Sequence, residues 1–167
     1  APGGPGRGRL CGGMVSATPS PVNRDAAVGS TIARWLRRRA RQWPPWWQFS
    51  TRLIPPRCLF CGQAADLGPV DLCSDCLQAL PWARDHDGIA TFNIPFEYED
   101  PVDGALWSLK FHGDLCPAQV FGALLAAAAA TAAIRTATLP ELFVPVPLHL
   151  DRLHERGFNQ AERLARQ

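Results

Sequence analysis

The chain has 167 residues, of which 47% are apolar, and its formal net charge is +2. That length suffices for one ordinary domain or two small ones, and the small net charge gives no sign of a nucleic-acid or membrane partner for the whole surface. No basic start leads into an apolar stretch and a small-residue cleavage site, and the longest mostly apolar run, residues 120–134, is shorter than the roughly 20 residues of a spanning helix. We therefore predict a cytoplasmic protein without a transmembrane segment.

The first fifty residues form a segment of low complexity. Residues 1–30 are rich in Gly, Pro, Ser and Ala without a helical or strand period, which predicts disorder because little apolar surface can be buried. Between positions 31 and 48, four tryptophans are interleaved with five arginines, and the apolar residues can share one face of a short helix that ends before Pro44. A basic aromatic helix can bind anionic membranes or nucleic acid. Because charge runs are weak signals, we interpret residues 1–50 as a solvated, disordered tail with a short basic aromatic helix.

Residues 53–82 contain two cysteine pairs with C-x2-C spacing. Cys58 and Cys61 form the first C-x2-C motif, Cys73 and Cys76 form the second, and eleven residues separate the two motifs. Each pair can sit on a tight knuckle, and two knuckles supply four thiolates in the closed tetrahedral geometry of structural zinc. The sequence therefore predicts a small zinc ribbon with one structural zinc ion. Because cysteine occupies all four positions, we expect no catalysis at the metal.

Other cysteine chemistries fit the spacing less well. Disulfides are rare in a cytosolic chain, and a thioredoxin-like site needs only one C-x2-C pair at a strand–helix junction. An iron–sulfur cluster also takes four thiolates, so ligand type alone leaves iron open as an alternative to zinc. Cys116 has no partner at knuckle spacing, and we interpret it as a small buried apolar residue.

Residues 89–167 alternate between strand and helix patterns. Residues 89–98 carry β-forming side chains in partial alternation, and residues 142–146 read as a short apolar strand. This alternation predicts the N-terminal part of an α/β domain, so the fold class is a zinc ribbon followed by an incomplete α/β unit. The predicted helices run from Pro101 to about Phe111, from about Pro117 to about Arg135, and from about Gln160 onward.

A polar loop leads from the predicted strand into the last predicted helix. The loop carries Arg152 and Arg156, and Asn159 can cap the helix while Glu162 reaches back to the cap. Backbone N–H groups at a helix start attract anions, and nearby arginines strengthen the attraction. The stretch is compatible with an anion site, although an ordinary βα unit with surface arginines explains the same pattern.

Four short motifs together give the chain a resemblance to a known family. The cysteine ribbon opens with Pro-Pro-Arg-Cys at 55–58, and Leu-Lys-Phe-His-Gly follows at 109–113. Val-Pro-Val-Pro-Leu at 144–148 then precedes Arg-Gly-Phe-Asn-Gln-Ala at 156–161. In the order and spacing of these motifs over residues 53–167, the chain resembles the ComF competence-protein family.

The resemblance implies a zinc-ribbon module fused to a type I phosphoribosyltransferase-like domain. On that analogy, residues 143–157 form the loop that receives pyrophosphate. Lys110 is one of the candidate anion contacts, but a lysine at the solvated end of a helix explains its position equally well. Many relatives carry a further cysteine pair that makes a double zinc ribbon, whereas residues 82–88 hold none here, so one zinc is expected. The resemblance implies Lys110, Arg152 and Arg156 as contacts for anionic groups. With Gly157 and Asn159 at the helix start, they form the candidate phosphate or pyrophosphate site.

In relatives, phosphoribosyl pyrophosphate is bound by a strand that ends in paired Asp residues and by a Thr/Gly loop, both beyond the Arg-Gly-Phe-Asn-Gln-Ala motif. These 167 residues do not contain that acidic motif. The resemblance therefore implies that this chain does not transfer a phosphoribosyl group. Phosphoribosyl pyrophosphate is expected to bind only in a complete parent protein.

The family resemblance also bears on partners. Relatives are linked to DNA uptake during natural transformation, and others to gluconate utilisation. This implies protein partners in the DNA-uptake machinery, with single-stranded DNA as a further candidate. The ribbon carries Asp66, Asp71 and Asp75 against Arg57 alone, which disfavours tight DNA binding by its surface. We expect a zinc-stabilised interaction module, and the alternative is the N-terminal part of an active phosphoribosyltransferase.

Overall fold

The computed structural model describes residues 26–42, 44, 55–68, 70–83, 95–136 and 141–166. Strand pairing within these ranges is limited to two isolated antiparallel bridges, Arg57 with Ala64 and Trp82 with Phe96. The described fold is therefore mostly helical. Its helices are α1 (Ala26–Ala40), α2 (Ser74–Ala79), α3 (Val102–Phe111), α4 (Cys116–Thr136), α5 (Leu150–Arg156) and α6 (Gln160–Ala165).

Helix α4 is the element on which three of the other described helices pack. It contacts α1, α3 and α6, and Val120 and Leu124 on its inner face are fully buried. The predicted helices at α3, α4 and α6 are confirmed, with bounds close to those expected. No helix in the described ranges combines the length and the hydrophobicity needed to cross a bilayer.

Helix α1 belongs to the folded core. Ile32 and Leu36 are 1% and 3% exposed, and the helix packs against α2 as well as α4. The basic aromatic stretch therefore does form a helix, but for residues 26–40 the interpretation as a solvated tail was wrong. Its apolar face is already covered by this protein, because helix positions 32, 33 and 36 meet the cysteine-bearing segment and α4.

The cysteine-bearing segment and the helices share one hydrophobic core. Leu59 and Phe60 of the first knuckle are buried in the same cluster as Leu77 of α2 and Phe121 of α4. The Phe60 and Phe121 rings meet edge to face with centroids 6.3 Å apart, a favourable arrangement for aromatic pairs. The knuckles are therefore tied by packing to the helix that organises the rest of the fold.

A short antiparallel contact closes the ribbon against the residues that precede α3. Trp82 and Phe96 form a bridge, their ring centroids lie 4.8 Å apart, and the Glu97 N–H donates to the Pro81 carbonyl at 2.8 Å. The predicted strand at 89–98 falls mostly outside the described residues. The part that is described pairs with the ribbon through this single bridge.

The predicted strand at 142–146 has no regular secondary structure. Leu142 and Val144 are 76% and 75% exposed. Pro145 and Pro147 remove backbone donors from alternate positions, which limits the ladder that the segment can form. The α/β arrangement is consequently absent among the described residues, and the ribbon-like cysteine segment is the part of the expected fold class that is present.

Helix α5 replaces the polar loop that the sequence analysis placed between strand and helix. The His149 side chain accepts a hydrogen bond from the Asp151 N–H at 3.4 Å at its start. At its end Gly157 adopts φ 76° and donates its N–H to the Leu153 carbonyl at 2.8 Å. A left-handed glycine is a common helix stop. The Gly157 position after seven helix-compatible residues was the signal that could have predicted α5.

Cys116 opens helix α4 and is 9% exposed, so its predicted burial is confirmed. It is disulfide-bonded rather than a free thiol, a state that the sequence analysis did not anticipate. The four cysteines of the ribbon are free. Cys116 is thus chemically separate from them.

Asp66 joins α1 to the second knuckle. Its carboxylate accepts hydrogen bonds from the Ser74 N–H and hydroxyl, both at 2.6 Å, and from the Arg37 guanidinium at 2.9 Å. Burial opposes ionisation of Asp66, but the Ser74 hydrogen bonds and the Arg37 charge outweigh it and hold the pKa below its usual value. A carboxylate at the start of α2 also meets the positive end of the helix dipole. The hydrogen bonds of Asp66 with Ser74 and Arg37 therefore fix the direction in which α2 leaves the second knuckle.

The packing of α1 on the ribbon can be tested at Gly68. This residue has φ 78°, and a Cβ added there would collide with the Cβ of Ala40 at the end of α1. We expect Gly68→Ala to lower the free energy of unfolding by about 2–4 kcal/mol, because left-handed strain and overpacking add. The measurement is urea unfolding of metal-loaded protein followed by circular dichroism at 222 nm.

Gly157→Ala is the matched control for this prediction. Gly157 has φ 76° but open space around its added Cβ, so it carries only the backbone strain, about 1 kcal/mol. Equal destabilisation by the two substitutions would contradict the close contact between α1 and the ribbon.

Candidate functional site

The first cysteine knuckle is built by a tight turn over residues 58–63. The Cys58 N–H donates to the Gln63 carbonyl at 2.7 Å, and the Gly62 N–H donates to the Cys58 carbonyl at 2.9 Å. Gly62 has φ 70°, a conformation that glycine adopts without steric cost. The turn brings Cys58 and Cys61 to the same side of the chain.

The second knuckle runs directly into helix α2. Cys73 is the N-cap of this helix, and its Sγ accepts a hydrogen bond from the Cys76 N–H at 3.4 Å. Cys76 lies in the first turn of α2. The two knuckles are joined where the Leu59 N–H donates to the Asp71 carbonyl at 2.8 Å. The geometry of α2 and this backbone hydrogen bond together direct all four sulfurs toward one point.

The four cysteine sulfurs lie within 4.8 Å of one another. The Sγ atoms of Cys61 and Cys73 are 3.7 Å apart. A tetrahedral site with metal–sulfur bonds of about 2.3 Å has sulfur–sulfur edges of about 3.8 Å. The predicted ligand set Cys58, Cys61, Cys73 and Cys76 therefore comes together with the spacing that one metal ion requires.

The electrostatics of the sulfurs favour a bound cation. Burial raises the pKa of the Cys73 thiol to about 11, and burial and the nearby Cys58 sulfur raise the pKa of Cys76 still further. For Cys61 burial is outweighed by the Gln63 N–H and by neighbouring thiols, so the pKa is lowered. Four adjacent thiolates repel one another, and a metal ion removes that cost while taking up the charge.

A second candidate site is a pocket between the end of α3 and the end of α5. Its volume is about 270 Å³. Lys110 and Arg156, two of the predicted anion ligands, both line it. The Arg156 guanidinium lies 5.4 Å from the centre of the Phe111 ring, and the Lys110 Nζ lies 5.9 Å from the Tyr98 ring. The lining residues are Lys110, Phe111, Gly113, Glu155, Arg156 and Phe158.

The other predicted anion ligands have different positions. Arg152 is absent from the pocket lining and donates to Glu155 at 2.8 Å. The Gly157 N–H is engaged with the Leu153 carbonyl. Asn159 accepts from the Ala161 N–H and donates to the Val146 carbonyl, both at 3.0 Å. The predicted capping role of Asn159 is therefore confirmed, and its side chain also ties the extended segment to α6.

The comparison with known proteins is negative. No family model, curated protein or solved structure gives a significant match to this chain. The two sites must therefore be interpreted from their own chemistry.

Sequence reasoning missed several residues of the pocket. Gly113, Glu155 and Phe158 line it, and only the last two lie close together in the chain. Gly113 has φ 67° just after α3. A glycine that follows a helical pattern predicts a helix end, and this was the one sequence signal for Gly113. What brings Gly113 to Phe158 is the packing of α3 and α6 on α4.

Metal content tests the first site. We expect one metal ion per chain in protein purified without chelator, and its loss in Cys76→Ser. Because structural metal sites supply folding free energy of roughly 10 kcal/mol or more, the variant should lose the shared core as well as the ribbon. Elemental analysis and circular dichroism before and after a chelator measure both effects.

Gln63→Ala is the control, because its side chain is exposed and only its backbone supports the knuckle. It should keep the metal. A folded wild-type chain without metal, or Cys76→Ser with full metal content, would show that the cysteine cluster is not a metal site.

Proposed function

We propose that this chain is a ComF-like protein in which a zinc-stabilised module serves as an interaction element associated with DNA uptake. The proposal assigns a phosphate or pyrophosphate pocket to the second half, which is phosphoribosyltransferase-like by resemblance. The family assignment is supported by the order and spacing of the motifs over residues 53–167. The observation that carries the anion-pocket assignment is that Lys110 and Arg156, far apart in sequence, line one pocket.

The metal of the proposed module is zinc. Four cysteine ligands on two knuckles form the closed tetrahedral set of structural zinc sites, and a single ion fits the spacing of the four sulfurs. An iron–sulfur cluster uses the same ligands. If the purified protein contains iron and acid-labile sulfide, the site holds an iron–sulfur cluster and the zinc assignment is wrong. One zinc ion per chain without sulfide supports the assignment.

The proposed partner is a protein of the DNA-uptake machinery, and single-stranded DNA is the second candidate. Asp71 and Asp75 lie on the ribbon, whose acidic balance disfavours nucleic acid. Helix α1 changes that balance locally, because Arg34 and Arg38 on it and Arg41 in the turn after it are exposed, and the helix packs against α2. Phosphate contacts of this kind weaken steeply with salt, so the salt dependence of binding to a short single strand distinguishes the two partners.

The charges of the pocket support an anionic ligand. Lys110 and Arg156 supply two positive charges, and the one carboxylate in the lining, Glu155, already accepts a hydrogen bond from Arg152. Each charge-assisted hydrogen bond contributes about 1.5–3 kcal/mol, so two of them give millimolar affinity. A phosphate or pyrophosphate group matches this charge.

A pyrophosphate titration followed by amide NMR shifts tests the pocket. We expect saturable shifts at Gly113 and Phe158, with millimolar affinity. Arg156→Ala should weaken binding roughly tenfold to a hundredfold, because one charge-assisted contact is lost. Arg34→Ala is the control, since it removes one positive charge from an exposed position outside the lining, and it should leave the affinity within about threefold of wild type.

Equal losses in Arg34→Ala and Arg156→Ala would mean that the titration reports general charge. Unmoved amides at both Gly113 and Phe158 would remove the anion site from the proposal. In either case the metal centre would be unaffected, because it rests on different residues.

The alternative proposal is that the chain is the N-terminal part of an active phosphoribosyltransferase. The 167 residues lack the acidic Asp-Asp and Thr/Gly motif that the family uses for phosphoribosyl pyrophosphate. We therefore expect no pyrophosphate release above background when this chain is incubated with phosphoribosyl pyrophosphate and common bases. A coupled pyrophosphate assay measures it. Turnover that disappears in Arg156→Ala would favour the enzyme over the interaction module.

A further inference from the structure

The four ligand cysteines differ in their access to solvent. Cys61 is exposed, Cys76 is half-buried, and Cys58 and Cys73 are buried at 3% and 9% exposure. Cys61 owes its exposure to its place at the tip of the first knuckle, between the buried Phe60 and the turn at Gly62. A small reagent in solution therefore reaches one ligand of the cluster before the other three.

We propose that Cys61 is an oxidation site and that Cys73 is the residue that resolves it to a disulfide. The inference rests on the metal centre, whose ligands these two residues are, and it goes beyond the interaction function. The structure provides the juxtaposition: the Cys61 and Cys73 sulfurs, on different knuckles, are 3.7 Å apart. Oxidation at this pair disassembles the metal site.

The chemistry needs a hydroperoxide as oxidant. The Cys61 sulfur attacks the terminal oxygen, the O–O bond breaks, and a hydroxide or alkoxide leaves while Cys61 becomes a sulfenic acid. The Cys73 thiolate then attacks the Cys61 sulfur, the S–O bond breaks, and hydroxide leaves as the S–S bond forms. Two thiolates give up two electrons in total, and these reduce the hydroperoxide to water or to water and an alcohol.

The geometry favours this pair with little movement. A disulfide requires a sulfur–sulfur bond of about 2.05 Å, so the two sulfurs must approach by less than about 2 Å. Cys73 already sits at the N-cap of α2, where the Cys76 N–H contacts its sulfur. Bonding to Cys61 draws that sulfur across the cluster and leaves two cysteines, too few for a closed four-ligand site.

The shared core carries the consequence beyond the knuckles. Phe60 next to Cys61 packs on Phe121 of α4, and Leu59 is buried in the same cluster. When the metal is lost, the free energy that holds the knuckles closed is lost with it. Oxidation at Cys61 should therefore loosen the α4 contact as well as the ribbon, so that the module responds to peroxide.

The test uses the zinc-loaded full chain treated with hydrogen peroxide in small steps. A chromogenic chelator follows zinc release, and differential alkylation with peptide mass spectrometry identifies the modified cysteines. We expect modification to begin at Cys61 and a Cys61–Cys73 linked peptide to rise together with zinc release. The resident disulfide at Cys116 is identified in the untreated sample and excluded from the comparison.

Two variants separate the ligand role of Cys61 from its reactivity. Histidine also binds zinc, so Cys61→His keeps a ligand but removes the exposed sulfur, and zinc release should slow about tenfold. Gln63→Ala is the control, since it changes an exposed side chain of the same knuckle, retains all four cysteines and should release zinc at close to the wild-type rate. If a variant fails to bind zinc, the peptide map of the wild-type chain decides alone.

Three results would overturn the proposal. These are first modification at a cysteine other than Cys61, a dominant Cys58–Cys61 or Cys73–Cys76 disulfide, and zinc release from Cys61→His as fast as from Gln63→Ala. If the untreated chain contains no zinc, the metal site itself is contradicted. The elemental analysis detects that outcome separately from the oxidation experiment.

Discussion

The convergence of four cysteine sulfurs within 4.8 Å is the constraint on which the rest of the structure depends. Helix α2 has six residues, too few to be stable alone in water, and the first knuckle is a turn held by a few backbone hydrogen bonds. Neither could keep its shape through local propensity. A cation bound by both knuckles would supply the missing free energy, because four neighbouring thiolates are costly without one.

The cysteine cluster does not stand apart from the helices. Phe60 reaches the core through Phe121, and Asp66 connects the start of α2 with Arg37 of α1. These links make the ribbon and α4 parts of one packed unit, so that a change at the sulfurs is felt in the helical core. An exposed ion pair alone contributes little. Its effect here is to orient α1, whose apolar face then supplies the packing energy.

The basic pocket arises from a different principle, the meeting of two helix ends. Lys110 stands near the end of α3 and Arg156 at the end of α5, while Phe111 and Phe158 furnish apolar walls. Cations at helix C-termini are stabilised by the helix dipole, so both positions are favourable for the free protein. The pairing of Arg152 with Glu155 leaves Arg156 as the arginine presented to the pocket.

By itself the sequence determined the features that depend on local spacing. C-x2-C spacing predicted the four converging sulfurs, and helical patterns predicted α3, α4, α6 and the Asn159 cap. Only the tertiary structure decided which predicted ligands meet. Arg152 and Arg156 were both candidate anion ligands on the same predicted loop, yet only Arg156 lines the pocket. Ile32 lay in a segment that we interpreted as a tail, and it is buried in the shared core. Spacing fixes what one turn or helix brings together, whereas contacts between distant segments depend on how their faces pack.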